Sequence, residues 1–283
     1  MTKVSVLMPI YKTNPQYLTE TIESILSQTF TDFELLLLDD CPEDSREEIV
    51  KSFNDKRIKY FKNEKNLGIT PSRNKLIDLA EGEYLAVMDH DDVAIPTRFE
   101  EQVKVLDTHP EIGVVGCWVK KFPKEKIARY YKSNEKIEYY LMHGCGIPHT
   151  GAMIRKSVLK NIRYEEEFSP AEDYALWCRL IGKTQFYNIP KILMKYRCHK
   201  DNTSKKQADK MAKATQKIWD FVRREHPDIF KNLHENARHI VRMRLFGIIP
   251  CGKFTQNGSQ PKKFLKYLPF ITTKIKPEVK WLP

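Results

Sequence analysis

The stretch Tyr84-Leu85-Ala86-Val87-Met88-Asp89-His90-Asp91-Asp92 decides the fold class, because an apolar run stops abruptly at an acidic cluster. A short apolar run that ends in polar residues is typical of a strand buried in a sheet. Three carboxylates within four residues repel one another unless a positive group lies nearby. The stretch therefore predicts a strand that ends at a cation site, or an acidic turn in solvent that caps the next helix.

Strands and helices alternate on both sides of this stretch. Apolar or alternating runs at 4–10, 33–38, 57–61 and 112–119 predict further strands. Helical spacing of apolar residues occurs between them, at 17–28, 42–53, 70–80 and 96–107. Alternation of this kind predicts an α/β fold with a doubly wound, mainly parallel sheet flanked by helices.

The chain after residue 120 is less regular. Residues 171–181 predict a helix with two acids in its first turn, and 189–196 predict a strand. Helices are expected at 208–224 and 229–246, and no element is assigned beyond residue 247. We expect a main domain over 1–205 and a helical, basic C-terminal extension over 206–283.

The composition is that of a folded protein: 283 residues, 41% hydrophobic and 30% charged. No stretch approaches the roughly 20 apolar residues that span a bilayer. The short apolar run after Met1 lacks a cleavage site, so a cytoplasmic protein is expected. The six cysteines are irregularly spaced, which favours free thiols over disulfides or a zinc site.

The net charge of +11 is uneven along the chain. From Cys251 to Pro283 there are seven lysines and one glutamate, with aromatic and aliphatic residues between them. This pattern suits contact with an anionic membrane surface, on the inner face of the membrane, and a weakly packed solvated tail would show the same pattern. Nucleic-acid binding is not expected, because no recognised motif accompanies the charge.

Polar residues follow several of the predicted strands. Tyr11, Asp39 and Asp89 each come directly after one. In open α/β sheets ligands bind outside the carboxyl ends of the strands, so these side chains are expected to share one cleft. Carboxylates there suit magnesium or manganese shared with substrate phosphates. The alternative for Asp39 is a helix cap.

Arg73, Asp173 and His199 are three further candidates for residues of the site. Arg73 lies one turn inside a predicted helix, where it can pair with a phosphate or form a surface ion pair with Asp78. Asp173, beside Glu172, suits a general base or simple helix capping. His199 is predicted as a metal ligand or a phosphate contact, against the structural role that a single histidine most often has.

The ordered set of these pieces resembles the inverting family 2 glycosyltransferases with the GT-A fold. It covers about the first 205 residues. The pieces are Val-Leu-Met-Pro-Ile-Tyr at 6–11, Ser-Gln-Thr-Phe-Thr-Asp-Phe-Glu-Leu at 27–35, Asp-Asp at 39–40, Asn-Leu-Gly at 66–68, Arg-Asn at 73–74, Asp-x-Asp-Asp at 89–92, His-Thr-Gly at 149–151, Glu-Asp at 172–173 and Tyr-Arg-x-His-x-x-Asn-x-Ser at 196–204.

The resemblance implies a nucleotide-binding half at 1–120 and an acceptor and catalytic half at 121–205. It implies donor contacts from Pro9, Tyr11, Asp39, Arg73, Asp89, Asp92, Arg197 and Ser204. Tyr11 and Asp39 would hold uracil and ribose, and Arg73 would approach the base or the pyrophosphate. Asp89 would contact ribose or sugar, and Asp92 would orient the donor sugar.

The same resemblance implies a metal site and a base. Asp91 and His199 would hold Mn²⁺ or Mg²⁺, while Arg197 and Ser204 would belong to a loop that closes on the diphosphate. Asp173 would be the general base. On the acceptor side, the lining residues would be His149 and Glu172.

The expected reaction is transfer of one sugar from a nucleotide sugar, with uridine diphosphate favoured, to a glycan or glycolipid acceptor of the cell surface, forming a β-linkage. No Gln-x-x-Arg-Trp follows residue 173, a motif of the processive members, so single addition is favoured. Two alternatives are transfer to polyprenyl phosphate and a non-catalytic glycan- or nucleotide-binding module. A dehydrogenase is excluded, because the first strand leads to Pro-Ile-Tyr without a glycine-rich turn.

Overall fold

The computed structural model describes residues 2–199, 202 and 206–227, and the backbone of 238–245, 249–257 and 271–276. The chain separates into two compact units, 1–220 and 221–283. The domain boundary predicted at 205/206 lies inside the first unit. No helix in the described part of the chain is long and apolar enough to cross a membrane.

The first unit is built on a nine-stranded sheet with helices packed against it. Its strands are β1 Val4–Ile10, β2 Phe33–Asp39, β3 Ile58–Lys62, β4 Tyr84–Val87, β5 Val93–Ala94, β6 Ile112–Phe122, β7 Lys126–Ala128, β8 Met153–Arg155 and β9 Gln185–Arg197. Its helices are α1 Pro15–Leu26, α2 Glu47–Ser52, α3 Ile69–Leu79, α4 Arg98–Thr108, α5 Asn134–Leu141, α6 Glu172–Leu180 and α7 Ala208–Glu225, the last of which ends beyond residue 220.

The two halves of this sheet differ in strand direction. Strands β3, β2, β1 and β4 are parallel neighbours, as strand–helix alternation predicts. All seven residues of β1, and all seven of β2, are buried. Beyond β4 the sheet is mixed, because β8 runs antiparallel to both β4 and β6, whereas β6 and β9 are parallel. The mixed half corresponds to the region where the sequence shows no regular alternation.

Helix α1 shows how local sequence directs these elements. The Asn14 side chain accepts hydrogen bonds from the backbone amides of Gln16 and Tyr17, at 2.9 and 3.4 Å, and Pro15 occupies the first turn. Such a cap satisfies amides that have no partner inside the helix. The buried face carries the apolar residues that the sequence pattern identified, and it packs beside β5.

The helix predicted over residues 229–246 is wrong for the described part of that range. Residues 238–245, expected within a helix over 229–246, form strand β10, Arg238–Leu245. It pairs antiparallel with β11, Ile249–Asn257, and with β12, Ile271–Lys276. Apolar residues at 241, 243 and 245 alternate with period two, which favours a strand. The extension predicted as helical is therefore helical in α7 and a three-stranded sheet in its other described segments.

Candidate active site

The acidic turn at residues 89–92 lies between β4 and β5. Strand β5 pairs with the end of β9, with Val93 opposite Lys195. This pairing brings the turn beside the residues that follow β9. Asp91 Oδ2 lies 2.7 Å from His199 Nε2, and both side chains are largely buried. Two residues 108 positions apart in the sequence thus meet at one end of the sheet.

Arg197 joins the acidic turn to helix α1. Its backbone amide donates to Asp92 Oδ1 at 2.8 Å, and its Nε donates to the Asp91 carbonyl at 2.7 Å. The guanidinium pairs with Glu20 at 2.5 Å and lies over the Tyr17 ring, 4.2 Å from its centroid. The structure therefore uses Arg197 within the protein, where the resemblance implied a contact with the diphosphate.

Asn202 and Ser204 belong to the same segment after β9. The side chain of Asn202 accepts from the His199 amide at 2.8 Å and donates to the Arg197 carbonyl at 3.1 Å, which closes the turn that carries the imidazole. Asn202 is part of the motif at 196–204, but the sequence alone predicts no role for it. Ser204, predicted to contact the donor, lies outside the described residues.

Asp92 differs from its predicted role. It is fully buried and holds the Arg197 amide, so its carboxylate faces protein and not a donor sugar. Burial, followed by the charges of Asp91 and Asp89, raises the pKa of Asp92 well above its usual value. Helix α1 also holds this residue, because the Thr21 hydroxyl donates to the Asp92 backbone carbonyl at 2.7 Å. Asp92 thus fixes the shape of the turn.

Arg73 bridges the acidic turn and the first turn of α6. Its Nη2 lies 3.2 Å from Asp89 Oδ1, and its Nη1 lies 2.5 Å from Glu172 Oε1. Burial would lower the pKa of Arg73, but Asp89 and Glu172 outweigh it, so the pKa is raised. Glu172 is only 3% exposed, which makes it a partner of Arg73 and not a lining residue of the acceptor side. The alternative partner, Asp78, pairs with Arg163.

Asp173 follows Glu172 and is less buried. Its Oδ1 accepts the backbone amide of Tyr174 at 2.7 Å. Burial, followed by the charge of Glu172, raises the pKa of Asp173 to about 6, and the charge of Arg73 opposes this rise. A carboxylate with such a pKa is ionised at neutral pH and still takes up a proton readily, as a general base must.

His149 is buried beside Asp89. Its Nε2 lies 2.9 Å from the Tyr164 hydroxyl, and its Nδ1 lies 4.0 Å from Asp89 Oδ1. Burial, followed by the charge of Arg73, lowers the pKa of His149 to about 3, so the ring is neutral. A residue that is 8% exposed supports the site from within and does not line an acceptor surface as predicted.

The site residues predicted at the ends of β1 and β2 differ in how exposed they are. Tyr11 is 41% exposed, whereas Pro9 is buried inside β1. Asp39 is fully buried and accepts from the amides of Cys41 and Arg46, at 3.0 and 2.8 Å, and from the Tyr60 hydroxyl at 2.8 Å. Its carboxylate therefore holds the backbone of the following segment, but Asp39 is not itself the cap of a helix, because Cys41 and Arg46 precede the two short helices there.

Asp40 has a role that the sequence analysis missed. Its carboxylate accepts from the amides of Leu67 and Gly68, each at 2.8 Å, and from the side-chain amide of Asn63 at 2.8 Å. Gly68 has a φ of 92°, which a residue with a side chain rarely adopts. Asp40 thus fixes the turn that starts α3 and places Arg73.

Arg98 was also missed, although it is fully buried under the site. Its guanidinium donates to the carbonyls of Val87 and Ala152, at 2.9 and 3.0 Å. Its neighbour Gln102 donates to the Gly151 carbonyl at 2.8 Å. Helix α4 therefore ties the end of β4, just before the acidic turn, to the segment that carries His149.

The Asp91–His199 pair fits a divalent metal in its donor chemistry. A carboxylate oxygen and an imidazole nitrogen are common ligands of Mn²⁺, and carboxylates suit Mg²⁺. No cluster of three or more histidine, cysteine, aspartate or glutamate groups suited to a metal occurs in the described part of the chain. An ion at the pair would take its other ligands from water or substrate. The five described cysteines are free thiols.

Comparisons with known proteins identify the family. The family model "Glycosyl transferase family 2" matches residues 5–163. An uncharacterized glycosyltransferase of Methanocaldococcus jannaschii, MJ1057, is 37% identical over 70% of this chain and 72% of its own. The amylovoran biosynthesis glycosyltransferase AmsE of Erwinia amylovora is 28% identical over 93% of this chain and 97% of its own.

The fold agrees with a solved glycosyltransferase. The mannosyltransferase PcManGT from Pyrobaculum calidifontis, solved with GDP-Man and Mn²⁺, superposes with a TM-score of 0.64. It is 16% identical, and the match covers 82% of this chain and 67% of that one. The mixed α/β sheet flanked by helices is thus the GT-A fold, and the chain belongs to the family 2 glycosyltransferases.

Proposed function

We propose that this glycosyltransferase moves one sugar from a nucleoside diphosphate sugar to a hydroxyl of a surface-glycan precursor, with inversion at the anomeric carbon. The observation that carries the proposal is the bridge by Arg73. It links Asp89 of the acidic turn to Glu172, which precedes Asp173. The turn that carries Asp91 and the helix start that carries Asp173 are thereby joined by one side chain.

Asp91 and His199 are the residues that would hold Mn²⁺ or Mg²⁺. The metal would supply positive charge that stabilises the diphosphate as it leaves. The complex of PcManGT with GDP-Man and Mn²⁺ supports this assignment. Arg197 keeps His199 in place through its bonds to the acidic turn, and Asn202 fixes the backbone between them.

The donor nucleotide is assigned to the end of the sheet where β1 and β2 finish. Tyr11 is exposed there, and an aromatic face suits stacking with a base. Asp89, which is part-exposed and held by Arg73, suits the ribose or the donor sugar. Asp39 and Pro9 contribute by shaping the adjacent backbone. A uridine nucleotide is the donor that the family resemblance favours.

Asp173 is assigned the proton of the acceptor hydroxyl. Its Oδ1 is used by the Tyr174 amide, which orients the carboxylate, and Oδ2 takes the proton. The oxygen so activated attacks the anomeric carbon from the face opposite the diphosphate. One displacement inverts that carbon, so an α-linked donor gives a β-linked product.

A panel of nucleotide sugars tests the proposal. UDP-glucose, UDP-galactose, their N-acetyl forms and GDP-mannose are each incubated with the protein, and release of nucleoside diphosphate is measured with Mn²⁺ and with EDTA. We expect one donor to stand out and its turnover to stop in EDTA. Equal turnover with and without metal would contradict the metal assignment, and no turnover of any donor would favour a binding module.

We further propose that residues 251–283 bring the enzyme to the inner face of an anionic membrane. Support comes from the lysines and aromatic residues of that segment, whose side chains lie outside the described part of the structure. Each lysine near such a surface contributes about 1 kcal/mol. Replacing Lys262, Lys263 and Lys266 by Gln should weaken co-sedimentation with phosphatidylserine vesicles. Unchanged sedimentation would count against membrane contact.

A further inference from the structure

Two tyrosines keep their rings in solvent near the start of α6. Tyr131 is 40% exposed and Tyr140 is 41% exposed. Their ring centroids lie 5.7 Å apart, with the planes inclined by 59°. Together they form an exposed aromatic corner, which we call the tyrosine pair. Large aromatic groups left exposed side by side often mark a binding surface.

The backbone under the tyrosine pair is fixed by a buried amide. Asn188 of β9 is fully buried, and its Nδ2 donates to the carbonyls of Tyr131 and Gly146, at 2.8 and 3.1 Å. Tyr140 lies in the last turn of α5, and a Cβ added at Gly144 would stand 3.5 Å from its ring. The backbone at Tyr131 is therefore held in place and Tyr140 is held within a helix, which lowers the entropic cost of binding.

The helix that carries Tyr140 is bonded to the helix whose first turn contains the proposed base. The Leu141 carbonyl, next to Tyr140 in the chain, accepts from the Tyr174 hydroxyl at 2.5 Å. Tyr174 in turn gives its amide to Asp173. The end of α5 and the start of α6 are thus locked together.

The chain also connects the tyrosine pair to the acidic turn. From Gly146, held by Asn188, three residues lead to His149. The Nδ1 of that histidine is 4.0 Å from Asp89 Oδ1. The backbone that Asn188 holds beside Tyr131 is therefore three residues along the chain from a side chain of the site, on the part of the chain assigned to the acceptor.

We infer that Tyr131 and Tyr140 form an acceptor subsite that stacks against a pyranose ring, so that the acceptor carries at least two sugars. One sugar would present its hydroxyl to Asp173, and its neighbour would rest on the tyrosine pair. A pyranose offers an apolar C–H face to a ring and hydroxyls to the phenols. A phosphate would instead meet the negative faces of the rings. This inference rests on the proposed function.

The test uses cellobiose, lactose and chitobiose as probes, with glucose, galactose and N-acetylglucosamine as single-sugar counterparts. Tyr131→Ala/Tyr140→Ala should raise KM for a disaccharide acceptor about tenfold or more. Turnover of donor to water, and donor affinity, should stay at wild-type values. Tyr131→Phe/Tyr140→Phe keeps the rings and should keep most of the affinity, which makes it the matched control.

Binding is also measured directly, by saturation-transfer NMR of the same disaccharides. This readout needs no turnover, so it separates failure of the subsite from failure of the proposed function. Absence of all donor turnover with disaccharide binding that depends on the two rings would overturn the enzyme assignment and support the subsite. Disaccharide affinity and KM that are equal in the wild type and the Ala variant would overturn the subsite. A change of oligomeric state in that variant, without any change in glycan binding, would also overturn it and identify a protein contact.

Discussion

Two pairs of adjacent acids in the site, one in the acidic turn and one at the start of α6, are stabilised in different ways. Asp91 and Asp92 lie in the turn between β4 and β5, and Glu172 and Asp173 begin α6. In each pair one carboxylate is turned into the protein: Asp92 holds the Arg197 amide, and Glu172 pairs with a guanidinium. The other member is left for chemistry. Asp91 contacts the His199 ring, and Asp173 has a pKa raised to about 6.

The difference lies in where the compensating charge comes from. Arg73 supplies a full positive charge beside Glu172, so the chain itself provides the ionic partner of that carboxylate. The acidic turn receives backbone amides, a long contact between Asp89 and Arg73, and the buried Arg98 beneath it. Two acids with a built-in cation suit a proton-transfer site, whereas acids with incomplete compensation suit a bound metal.

The largest effect should follow from Asp173→Asn, which removes the base and keeps the shape. We expect transfer to fall by about 10²–10⁴-fold, the usual contribution of a general base. Donor affinity, measured by calorimetry, should change less than about twofold, because the compensated pair does not hold the diphosphate in this assignment. The matched control is Glu166→Gln, an exposed acid shortly before α6, which should leave both quantities unchanged. Retained transfer in Asp173→Asn would sink the assignment of the base.

The next effect concerns the other pair. Asp91→Ala should lower the affinity for Mn²⁺ by about 10–100-fold or more, because a direct ligand is lost. Electron paramagnetic resonance of free Mn²⁺ measures this without any turnover. His109→Gln, which changes an exposed histidine paired with Glu111, serves as the control and should bind Mn²⁺ like the wild type. If Asp91→Ala and the wild type bound Mn²⁺ equally, the contrast between the two pairs would be wrong.

A change of pH profile should follow from Glu172→Gln. Below about pH 6 the Asp173 carboxylate is protonated and cannot accept a proton, so kcat/KM should fall on the acid side. The charge of Glu172 raises the pKa of Asp173, and that of Arg73 lowers it. Removing the Glu172 charge takes away an effect that raises the pKa of Asp173 and leaves the effect of Arg73, which lowers it. The acid limb should therefore move below pH 6, as measured by kcat/KM against pH.

Either of two results would oppose this interpretation. An acid limb that stays near pH 6 in Glu172→Gln, or that moves upward, would mean that Glu172 does not act on the base. Glu166→Gln is again the matched comparison, because it removes a nearby exposed charge that lies outside the Arg73 bridge. Its profile should coincide with that of the wild type.

Much of the fold was predictable from the sequence, because its parallel half follows simple periodicity. Apolar runs identified β1, β2 and β4, and helical spacing identified α1 and α3. The mixed half was harder, since β8 is only three residues long and pairs antiparallel with strands far away in the chain. Strand β10 lies in a stretch that the sequence predicts to be a helix, because a short apolar run fits both the helical and the strand periodicity.

The candidate site was predictable in its motifs and less so in its geometry. The resemblance implied that Asp91 and His199 hold one metal ion, and in the structure the two side chains lie 2.7 Å apart. Burial was not visible in the sequence, so Asp39, Asp92 and Glu172 were assigned to ligands although they bond to the protein. Whether a carboxylate points into a cleft or into the core depends on tertiary packing, which a local motif does not encode.

The smallest effect tests how the metal side is held. Glu20→Gln keeps the shape of the side chain but removes its charge, so the pair with Arg197 loses its ionic part. Because Glu20 is partly exposed, the pair contributes only about 0.2–1 kcal/mol. The Tyr17 stacking and the bonds of Arg197 to Asp91 and Asp92 persist. We therefore expect Mn²⁺ affinity to fall by about fivefold or less, and the pH profile set by Asp173 to stay in place. A shifted acid limb in Glu20→Gln would mean that the two acidic pairs are coupled, and the separation between metal side and base side would fail.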